Sequence, residues 1–415
     1  MSQILTQVEA ILKDKYQPAL SNQISTNPSP FLEKIKRVPL TNNTIKCAAP
    51  IGLNGGFGFG AEGESTPASG AQRYAEFTLD AVDMYVDIQI SNKTVQLASS
   101  NAAAMINALD SEVQGSYRSA EWNLSRALFG DGRGILTSLI SATTNRSTYS
   151  TFVVSDVSKL MEGLRVDIYS YAGATATEGT LLDVNKGARI IAIDRAVRLV
   201  TVDSPSVSAR TALDEDGVTP MGTYGFLTVQ NSYKRELCGL GAIYDSETPT
   251  LYGVNKRDNP WIRPIEIDAQ NELSDRVLYK AIKEAKDYKG SKIDLVMMGD
   301  EAFAAYQDYM RSNNVVVADK QRFVGGAVGY KVLCGAQETV IVNERFVPTD
   351  EAWGVDTSAF LLEATPWEFM AKDGAVFLPM PGTSVYRALL TSYGNLLCTN
   401  PGGCVRITNC SLLGE

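Results

Sequence analysis

One long run of helical periodicity constrains the fold more than any other feature of the sequence. Apolar residues recur every three or four positions from Ile106 to Leu128, which places them on one face of an α-helix. Ser99 or Ser100 can cap its start, because a hydroxyl accepts a hydrogen bond from a free first-turn N–H. Gly130 and Gly132 can end it by adopting a positive φ. Such a helix holds about 30 residues and is about 45 Å long, so it is predicted to be a spine against which other elements lie.

A glycine-rich stretch comes before this helix. Residues 51–73 read IGLNGGFGFGAEGESTPASGAQR, a composition that favours extended or irregular backbone. Apolar and polar residues then alternate from Met84 to Ile90, which predicts a strand. Together the two stretches predict a long β-hairpin that projects from the subunit rather than a part of a compact core.

The regions after the helix change character twice. Short alternating runs separated by tight turns fill residues 151–235, and they predict a small antiparallel β-module, either a barrel or a sandwich. Residues 236–415 mix helical and strand periodicities. Ser274 is expected to cap one helix and Asp300 a second, with a buried strand over Ile293–Met298 between them.

The N-terminal residues are predicted to be an arm, with a short amphipathic helix over Ile4–Tyr16 before a proline-rich stretch. No part of the arm is expected to form a core by itself, and residues 1–92 are expected to act largely outside their own subunit. The predicted division is an arm at 1–48, an extended loop at 49–95, the spine helix and the start of a peripheral domain at 96–150, an inserted β-module at 151–235, and peripheral and axial α/β domains at 236–415.

The chain contains no histidine. This excludes a Ser-His-Asp triad, a Cys-His dyad and any His-ligated metal site. The acidic pairs stand in no context that marks a general acid and base, although folding could still bring a carboxylate dyad together. We therefore expect a protein that is not an enzyme and that uses no cofactor and no metal ion.

The net charge is −9. This argues against tight, sequence-independent binding to nucleic acid, which requires lysine and arginine to displace counterions from phosphates, but it is compatible with a wall that encloses DNA. No apolar run approaches the roughly 20 residues that span a bilayer. Met1–Lys13 lacks a continuous apolar region, so we expect no secretory signal and synthesis in a cytoplasm.

Three local motifs each have a chemical and a simpler interpretation. Gly58–Gly63 matches GxGxxG, but no strand precedes it and no helix begins inside it, so a loop is favoured over a phosphate cradle. Asp214–Gly217 is interpreted as an acidic surface turn rather than a cation site. Lys283–Lys292 carries four lysines with acidic residues between them, and a solvated helix face is favoured over a nucleic-acid patch.

Cysteine and tryptophan residues give similarly plain expectations. The six cysteines form no CxxC pair, so buried free thiols are favoured over a zinc ribbon, a disulfide or a redox role. Burial at domain or subunit contacts is favoured for Trp261, Trp353 and Trp367 over an aromatic binding platform.

The order of parts resembles the major capsid proteins of tailed double-stranded-DNA bacteriophages, whose fold is shared with encapsulins. Four segments carry the resemblance at residue level, and their shared order matters more than any one of them. They are NLSRALFGDG at 123–132, LCGLGAIYD at 237–245, TLYGVNKR at 250–257 with NPW at 259–261, and DLVMMGD at 294–300. The resemblance covers most of residues 50–410. It implies an α+β fold with an N-terminal arm, an extended hairpin loop, a long spine helix, and peripheral and axial domains.

The resemblance also implies a function. Members assemble into pentamers and hexamers of an icosahedral shell, and the loop at 50–92 would lie over an adjacent subunit. The expected contact residues are Gly55, Gly56, Phe57, Phe59, Glu62 and Arg73. The implied partners are further copies of the chain, a portal, scaffolding or decoration proteins and packaged double-stranded DNA bound non-specifically, with no membrane. The implied location is the virion capsid, after assembly in the host cytoplasm.

Two departures from the family pattern refine this expectation. The arm is too short for a helical scaffolding prodomain, so a separate scaffolding protein or none is expected. The β-module at 151–235 is larger than minimal shells have, which favours a phage capsid over an encapsulin-like compartment. A tail-tube or baseplate protein remains the other alternative.

Overall fold

A computed structural model gives the fold of the chain. It describes residues 29–52, 54–59, 68, 70–93, 115–116, 118–145, 149–171, 179–181, 186–203, 225–245, 249–313, 320–323, 328–334, 337–370 and 376–411. The fold is α+β, with many strands and few helices, as the sequence predicts. Two compact units are present, Met1–Ser125 with Ile243–Glu415, and Arg126–Ala242.

The strands, in chain order, are β1 (Lys36–Val38), β2 (Thr44–Pro50), β3 (Tyr74–Asp80), β4 (Val82–Ser91), β5 (Ile135–Asn145), β6 (Ser150–Val154), β7 (Arg165–Tyr171), β8 (Gly179–Leu181), β9 (Ala188–Asp194), β10 (Leu199–Asp203), β11 (Gly225–Val229), β12 (Thr250–Leu251), β13 (Val254–Asn255), β14 (Ile265–Asp268), β15 (Leu295–Met298), β16 (Lys320–Arg322), β17 (Val328–Cys334), β18 (Gln337–Asn343), β19 (Ala352–Val355), β20 (Phe360–Ala364), β21 (Glu368–Phe369), β22 (Leu378–Pro379), β23 (Val385–Cys398) and β24 (Val405–Thr408). The helices are α1 (Pro30–Lys34), α2 (118–128), α3 (Leu240–Tyr244), α4 (Asp275–Lys289) and α5 (Asp300–Ser312). Short 3₁₀ turns lie at Pro260–Ile262, Thr357–Ala359 and Pro401–Gly403.

The unit Arg126–Ala242 is built around a closed antiparallel barrel. Its strands pair in the ring β5-β6-β10-β9-β7-β11, because β11 bonds to both β5 and β7, and β8 adds to the side of β7. Side chains that alternate along these strands, such as Val166 with Ile168 and Val200 with Val202, fill a buried core. The predicted β-module is therefore confirmed as a barrel. Its first strand begins at Ile135, so the module starts earlier than the predicted residue 151.

A seven-stranded sheet forms one half of the other unit, in the order β14-β24-β19-β15-β18-β17-β16. Helices α4 and α5 pack on one face of it and share a core with Val296, Met298 and Ile341. The spacing of apolar residues predicts a core face of Val277, Leu278, Ala281, Ile282 and Ala285 for α4. This face is confirmed, since the last four are buried and the half-buried Val277 packs against the same core.

The predicted helix caps differ in detail. Ser274 occupies the cap position of α4, but its side chain makes no capping hydrogen bond. Gly299, not Asp300, is the cap residue of α5. A Cβ at Gly299 would lie 2.0 Å from the carbonyl oxygen of Pro348, so this close approach of two backbone segments requires glycine.

A six-stranded sheet forms the other half of this unit. The long strand β23 is its centre and pairs with β20, β21, β22 and β4. Strand β4 pairs with β23 from Val82 to Ser91 and buries Val86, Ile88 and Ile90. The predicted strand at 84–90 is thus confirmed, but its expected place in a projecting hairpin is wrong. It belongs to the core, because a sheet buries the apolar face that its alternation creates.

Helix α2 shows how the predicted spine ends. Its last helical residue is Leu128, and Gly132 has a positive φ of 86° in the turn that follows. The predicted end is confirmed for Gly132, whereas Gly130, the other predicted cap residue, has no positive φ. The predicted start at Ser99 or Ser100 lies outside the described residues.

Candidate assembly surfaces

A long antiparallel hairpin is present, formed by β2 and β3. The pairing runs from Thr44 with Asp80 to Pro50 with Tyr74, and one more hydrogen bond, 2.8 Å from the amide of Ile51 to the carbonyl of Arg73, extends it. The hairpin is therefore confirmed, but its return strand is β3 and its first strand begins within the predicted arm.

An exposed ion pair supports the hairpin shaft. Lys46 donates a 2.8 Å hydrogen bond to Glu76 on the facing strand, and this bond raises the pKa of the lysine ammonium. Both side chains are exposed, so water and salt screen the pair and its contribution to stability is small.

Two phenylalanines stand in water near the end of the hairpin. Phe57 is 81% exposed and Phe59 is 95% exposed. The two rings contact each other edge-to-face, with centroids 5.3 Å apart. Scattered apolar side chains are common on protein surfaces, but two adjacent, almost fully exposed phenylalanines on an extension offer apolar area that only another surface can bury.

Glycine allows the two limbs of the tip to approach each other. A Cβ at Gly70 would lie 2.5 Å from the amide nitrogen of Gly55 and 3.0 Å from that of Gly56. Gly55, Gly56, Phe57, Phe59 and Arg73 thus lie on one hairpin, as predicted, whereas Glu62 lies outside the described residues. Their role as subunit contacts stays a prediction.

The root of the hairpin is fixed to its own unit through Phe77. This residue is fully buried and stacks on Trp261, with ring centroids 6.0 Å apart and planes 12° from parallel. Nearby, the amide of Thr78 donates a 3.0 Å hydrogen bond to the carbonyl of Tyr252, and Asn395 donates a 2.8 Å bond to the carbonyl of Asp80. The hairpin therefore has a rigid base and an exposed tip.

The end of the predicted arm behaves differently. Phe31 and Leu32 on α1 are buried, and Phe31 packs edge-to-face on Phe360 with centroids 5.2 Å apart. Strand β1 then adds in parallel to β20. The expectation that residues 1–92 act largely outside their own subunit is therefore wrong for residues 30–38, because this segment supplies apolar side chains to its own core.

Polar contacts hold the same segment at both ends. Lys34 forms a 3.3 Å ion pair with Asp294, whose carboxylate also accepts a 2.7 Å hydrogen bond from the hydroxyl of Thr357. Ser29 donates a 3.2 Å hydrogen bond to the buried carboxyl of Glu344. Burial raises the pKa of Glu344 to about 7, since removing a carboxylate from water disfavours its charged form.

The end of α2 meets the segment around residue 239 in the barrel unit. Arg126 forms a buried, two-pronged ion pair with Glu236, with contacts of 2.9 and 2.5 Å. A Cβ at Gly239 would lie 2.3 Å from the carbonyl oxygen of Leu128, so the two backbones touch. Two of the segments that carry the family resemblance are thus in contact. The ion pair was not predicted, because no sequence pattern relates residues so far apart.

The remaining candidates show no reactive arrangement. Cys398, Cys404 and Cys410 are buried free thiols, Cys47 is a half-buried free thiol, and Cys238 is half-buried. Burial raises the pKa of Cys410 to about 12, which keeps it protonated. The described part of the chain contains no group of three or more Cys, Asp or Glu side chains placed to bind a metal ion. Asp214–Gly217 and most of Gly58–Gly63 lie outside that part.

The predicted tryptophan environments are partly visible within the chain. Trp353 is buried and donates a 2.7 Å hydrogen bond to Glu351, and Trp261 stacks on Phe77. No helix among the described residues is long and apolar enough to cross a bilayer.

Comparison with known proteins gives matches in three dimensions only. No family model and no curated protein sequence matches the chain. A chain of the cyanophage A-1(L) capsid asymmetric unit matches with a TM-score of 0.50 at 10% identity, covering 95% of this chain and 92% of that one. The holo-SrpI encapsulin complex of Synechococcus elongatus matches with a TM-score of 0.45 at 7% identity, covering 93% and 90%. Mycobacterium phage Bobi matches with a TM-score of 0.39 at 13% identity, covering 92% and 90%.

The cyanophage match spans almost the whole of both chains. The chain has the fold of tailed-phage capsid proteins.

Proposed function

We propose that this chain is a structural subunit that assembles with copies of itself into a closed protein shell. The observation that carries the proposal is the hairpin, which is fixed at its base by Phe77 and presents Phe57 and Phe59 to water. Fully burying each phenylalanine against a neighbour would contribute roughly 1.5–3 kcal/mol. A head-to-tail interface closes into a ring when the rotation between neighbouring subunits permits. Every subunit of such a ring would then contribute the same gain in free energy.

The finer proposal is a major capsid protein. Pentamers and hexamers of the chain would form an icosahedral head in the host cytoplasm and enclose double-stranded DNA without binding it specifically. Portal, scaffolding or decoration proteins would be its partners in the virion. The proposal includes no catalytic role, in keeping with a chain that contains no histidine.

The direct test is to replace Phe57 and Phe59 together by serine. The substitution should leave the fold intact, because both side chains are exposed, and should abolish shells or rings seen by negative-stain microscopy and sedimentation. A matched control replaces Ile191 and Val197 by serine, which removes two exposed apolar side chains from the barrel. Shells that form equally well in both variants would contradict the role proposed for the hairpin.

Two alternative functions predict particles of a different shape or with different enclosed material. A tail-tube protein would form stacked tubes instead of closed shells. An encapsulin-like compartment, which shares the fold, would enclose protein cargo rather than DNA. Particles isolated from their source and analysed for nucleic acid and for second proteins separate the compartment from the capsid, and a chain that stays a small monomer at high concentration would contradict all three assemblies.

A further inference from the structure

Helix α4 presents an unusually basic face to solvent. Its buried face packs on the seven-stranded sheet, whereas the cations along the other face are exposed. The exposed basic residues are Arg276, Lys280, Lys283 and Lys286. Asp287 is the one exposed acidic side chain on this helix. In a chain of net charge −9, this is a local reversal of sign.

None of these four cations has the ion-pair partner that some exposed cations have elsewhere in the described chain. Lys46 pairs with Glu76, and Arg387 pairs with Asp87. No ion pair to another described residue is formed by any of the four on α4. Arg276 also lies in the first turn, where the helix dipole disfavours positive charge. The ion pairs of α4 therefore give no reason for these charges, and its dipole favours only Lys286, which lies in the last turn.

The neighbouring helix α5 presents the opposite sign. Glu301 and Asp308 are exposed on one face, with the small side chain of Ala304 exposed between them. Arg311 forms a 3.1 Å ion pair with Asp308, and the side chains of Arg311 and Asp308 are 75% and 51% exposed. Asp308 therefore stays accessible to a partner. The helix as a whole carries three acidic residues and one basic residue.

The two faces match in length and in shape. Arg276 to Lys283 and Glu301 to Asp308 each span seven residues, about 10.5 Å along a helix. Tyr279, which is 46% exposed, protrudes from the basic face, and Ala304 leaves space on the acidic face. A bulky residue opposite a small one is how helix surfaces interdigitate.

Both helices belong to one packed layer. They lie on the same face of the sheet and share its core, and Tyr306 of α5 donates a 2.9 Å hydrogen bond to Asp275 of α4. A rigid layer that carries one sign on one helix and the other sign on the next is complementary to a second copy of itself in a head-to-tail arrangement, the kind that closes rings.

We propose that the basic face of α4 in one copy of the chain docks on the acidic face of α5 in the next copy. This inference rests on the proposed self-assembly and specifies one contact within it. A nucleic-acid partner fits less well, because the acidic face in the same layer would repel phosphates. The contact would act mainly on specificity and ring register, as complementary charges at interfaces do.

Charge exchange tests the contact. One variant carries Lys280→Glu with Lys283→Glu, a second carries Glu301→Lys with Asp308→Lys, and a third carries all four. Each double variant should raise the minimum concentration for assembly by about tenfold or more, because like charges would then face each other. The fourfold variant should recover assembly, and 1 M salt should weaken the wild-type contact by screening it.

Two further variants keep the test decisive. Arg189→Glu with Arg195→Glu lowers the net charge on the barrel by as much as Lys280→Glu with Lys283→Glu lowers it on α4, and this control should assemble like wild type. Lys280→Gln with Lys283→Gln gives a milder version if the reversal disturbs folding, which circular dichroism would reveal.

The possible failures are distinguishable. If the wild-type chain does not assemble, the proposed function fails. If it assembles and the double variants assemble equally well, the α4–α5 contact is wrong while the shell stands. The contact is also wrong if the fourfold variant does not recover assembly, or if the barrel control is impaired as much as the double variants. It is wrong as well if Lys280→Glu with Lys283→Glu assembles normally and loses only co-purifying nucleic acid, measured by absorbance at 260 nm.

Discussion

Two segments that look alike in sequence have opposite fates in this fold. Residues 29–38 and residues 51–73 both lack regular periodicity and both carry aromatic side chains. Phe31 is fully buried against Phe360, whereas Phe57 and Phe59 contact only each other among the described rings and stand in water.

The difference lies in the backbone partners. Residues 36–38 find a free edge at β20 and add a parallel strand, so their flanking apolar residues are carried into the core. The hairpin strands pair with each other, and none of the described residues from Ile51 to Arg73 lies in a strand. An irregular apolar segment is therefore part of its own core when a sheet edge receives it, and is free to bind a neighbour when it pairs with itself.

The largest expected effect comes from Phe31→Ala. Removing a fully buried phenylalanine costs about 3–5 kcal/mol, from lost transfer energy and the cavity left behind. Urea unfolding of the unassembled subunit would measure it. Phe57→Ala is the matched control and should change the free energy of unfolding by less than about 0.5 kcal/mol. If both variants lost the same free energy of unfolding, the contrast between the two segments would be wrong.

A smaller effect is expected from Glu344→Gln, at the contact with Ser29. The folded pKa of Glu344 is about 7, above its ordinary 4.5, so the folded state holds this proton more tightly than the unfolded state. Its contribution to stability is therefore full below about pH 4.5 and is lost as pH rises through 7. Glutamine cannot ionise, so the variant should be more stable than wild type by about 1–3 kcal/mol at pH 8.

The measurement is thermal or urea unfolding of both proteins at pH 5 and pH 8. The gain should be much smaller at pH 5, where the wild-type carboxyl is mostly protonated. Glu76→Gln, on the exposed hairpin shaft, is the control and should change the stability little at either pH, because water and salt screen its ion pair. A gain of the same size at both pH values would show that ionisation of Glu344 is not its cause.

The smallest effect on subunit stability is expected from deleting Gly52–Gly70. The deletion leaves four residues between the paired Pro50 and Tyr74, namely Ile51, Ala71, Gln72 and Arg73. Hairpin loops of this length are common, so the free energy of unfolding should change by less than about 1 kcal/mol. Shell formation, followed by sedimentation, should be lost. Normal shells without this segment would show that the tip is dispensable.

Local periodicity predicted individual elements well. The core face of α4, the end of α2 at Leu128 and the alternation of β4 all follow from spacing that side-chain direction imposes on a helix or a strand. The barrel was predictable as a β-module because its strands are short and separated by turns. Closure was not, since it depends on the β11–β7 pairing between residues about 60 positions apart.

The candidate surfaces divide in the same way. Glycine content and the absence of periodicity marked residues 51–73 as an extension, and Phe57 and Phe59 within it as contact candidates. The basic lysines of α4 were also visible in the sequence, but they were interpreted as a solvated face. Lys283 and Lys286 are exposed, in agreement with that interpretation. The docking role proposed for them rests on the opposite charge of α5 in the same layer, which the three-dimensional arrangement alone reveals.

The amino-acid sequence by itself determined the kinds of element and the existence of a glycine-rich extension, because each of these depends on neighbours within a few residues. It also determined the lack of histidine chemistry, because the chain contains no histidine. Tertiary structure decided which strand edge receives which segment. It placed β4 in the core, packed Phe31 against Phe360 and paired Arg126 with Glu236. Pairing across long chain separations depends on the packing of whole sheets and not on any local pattern.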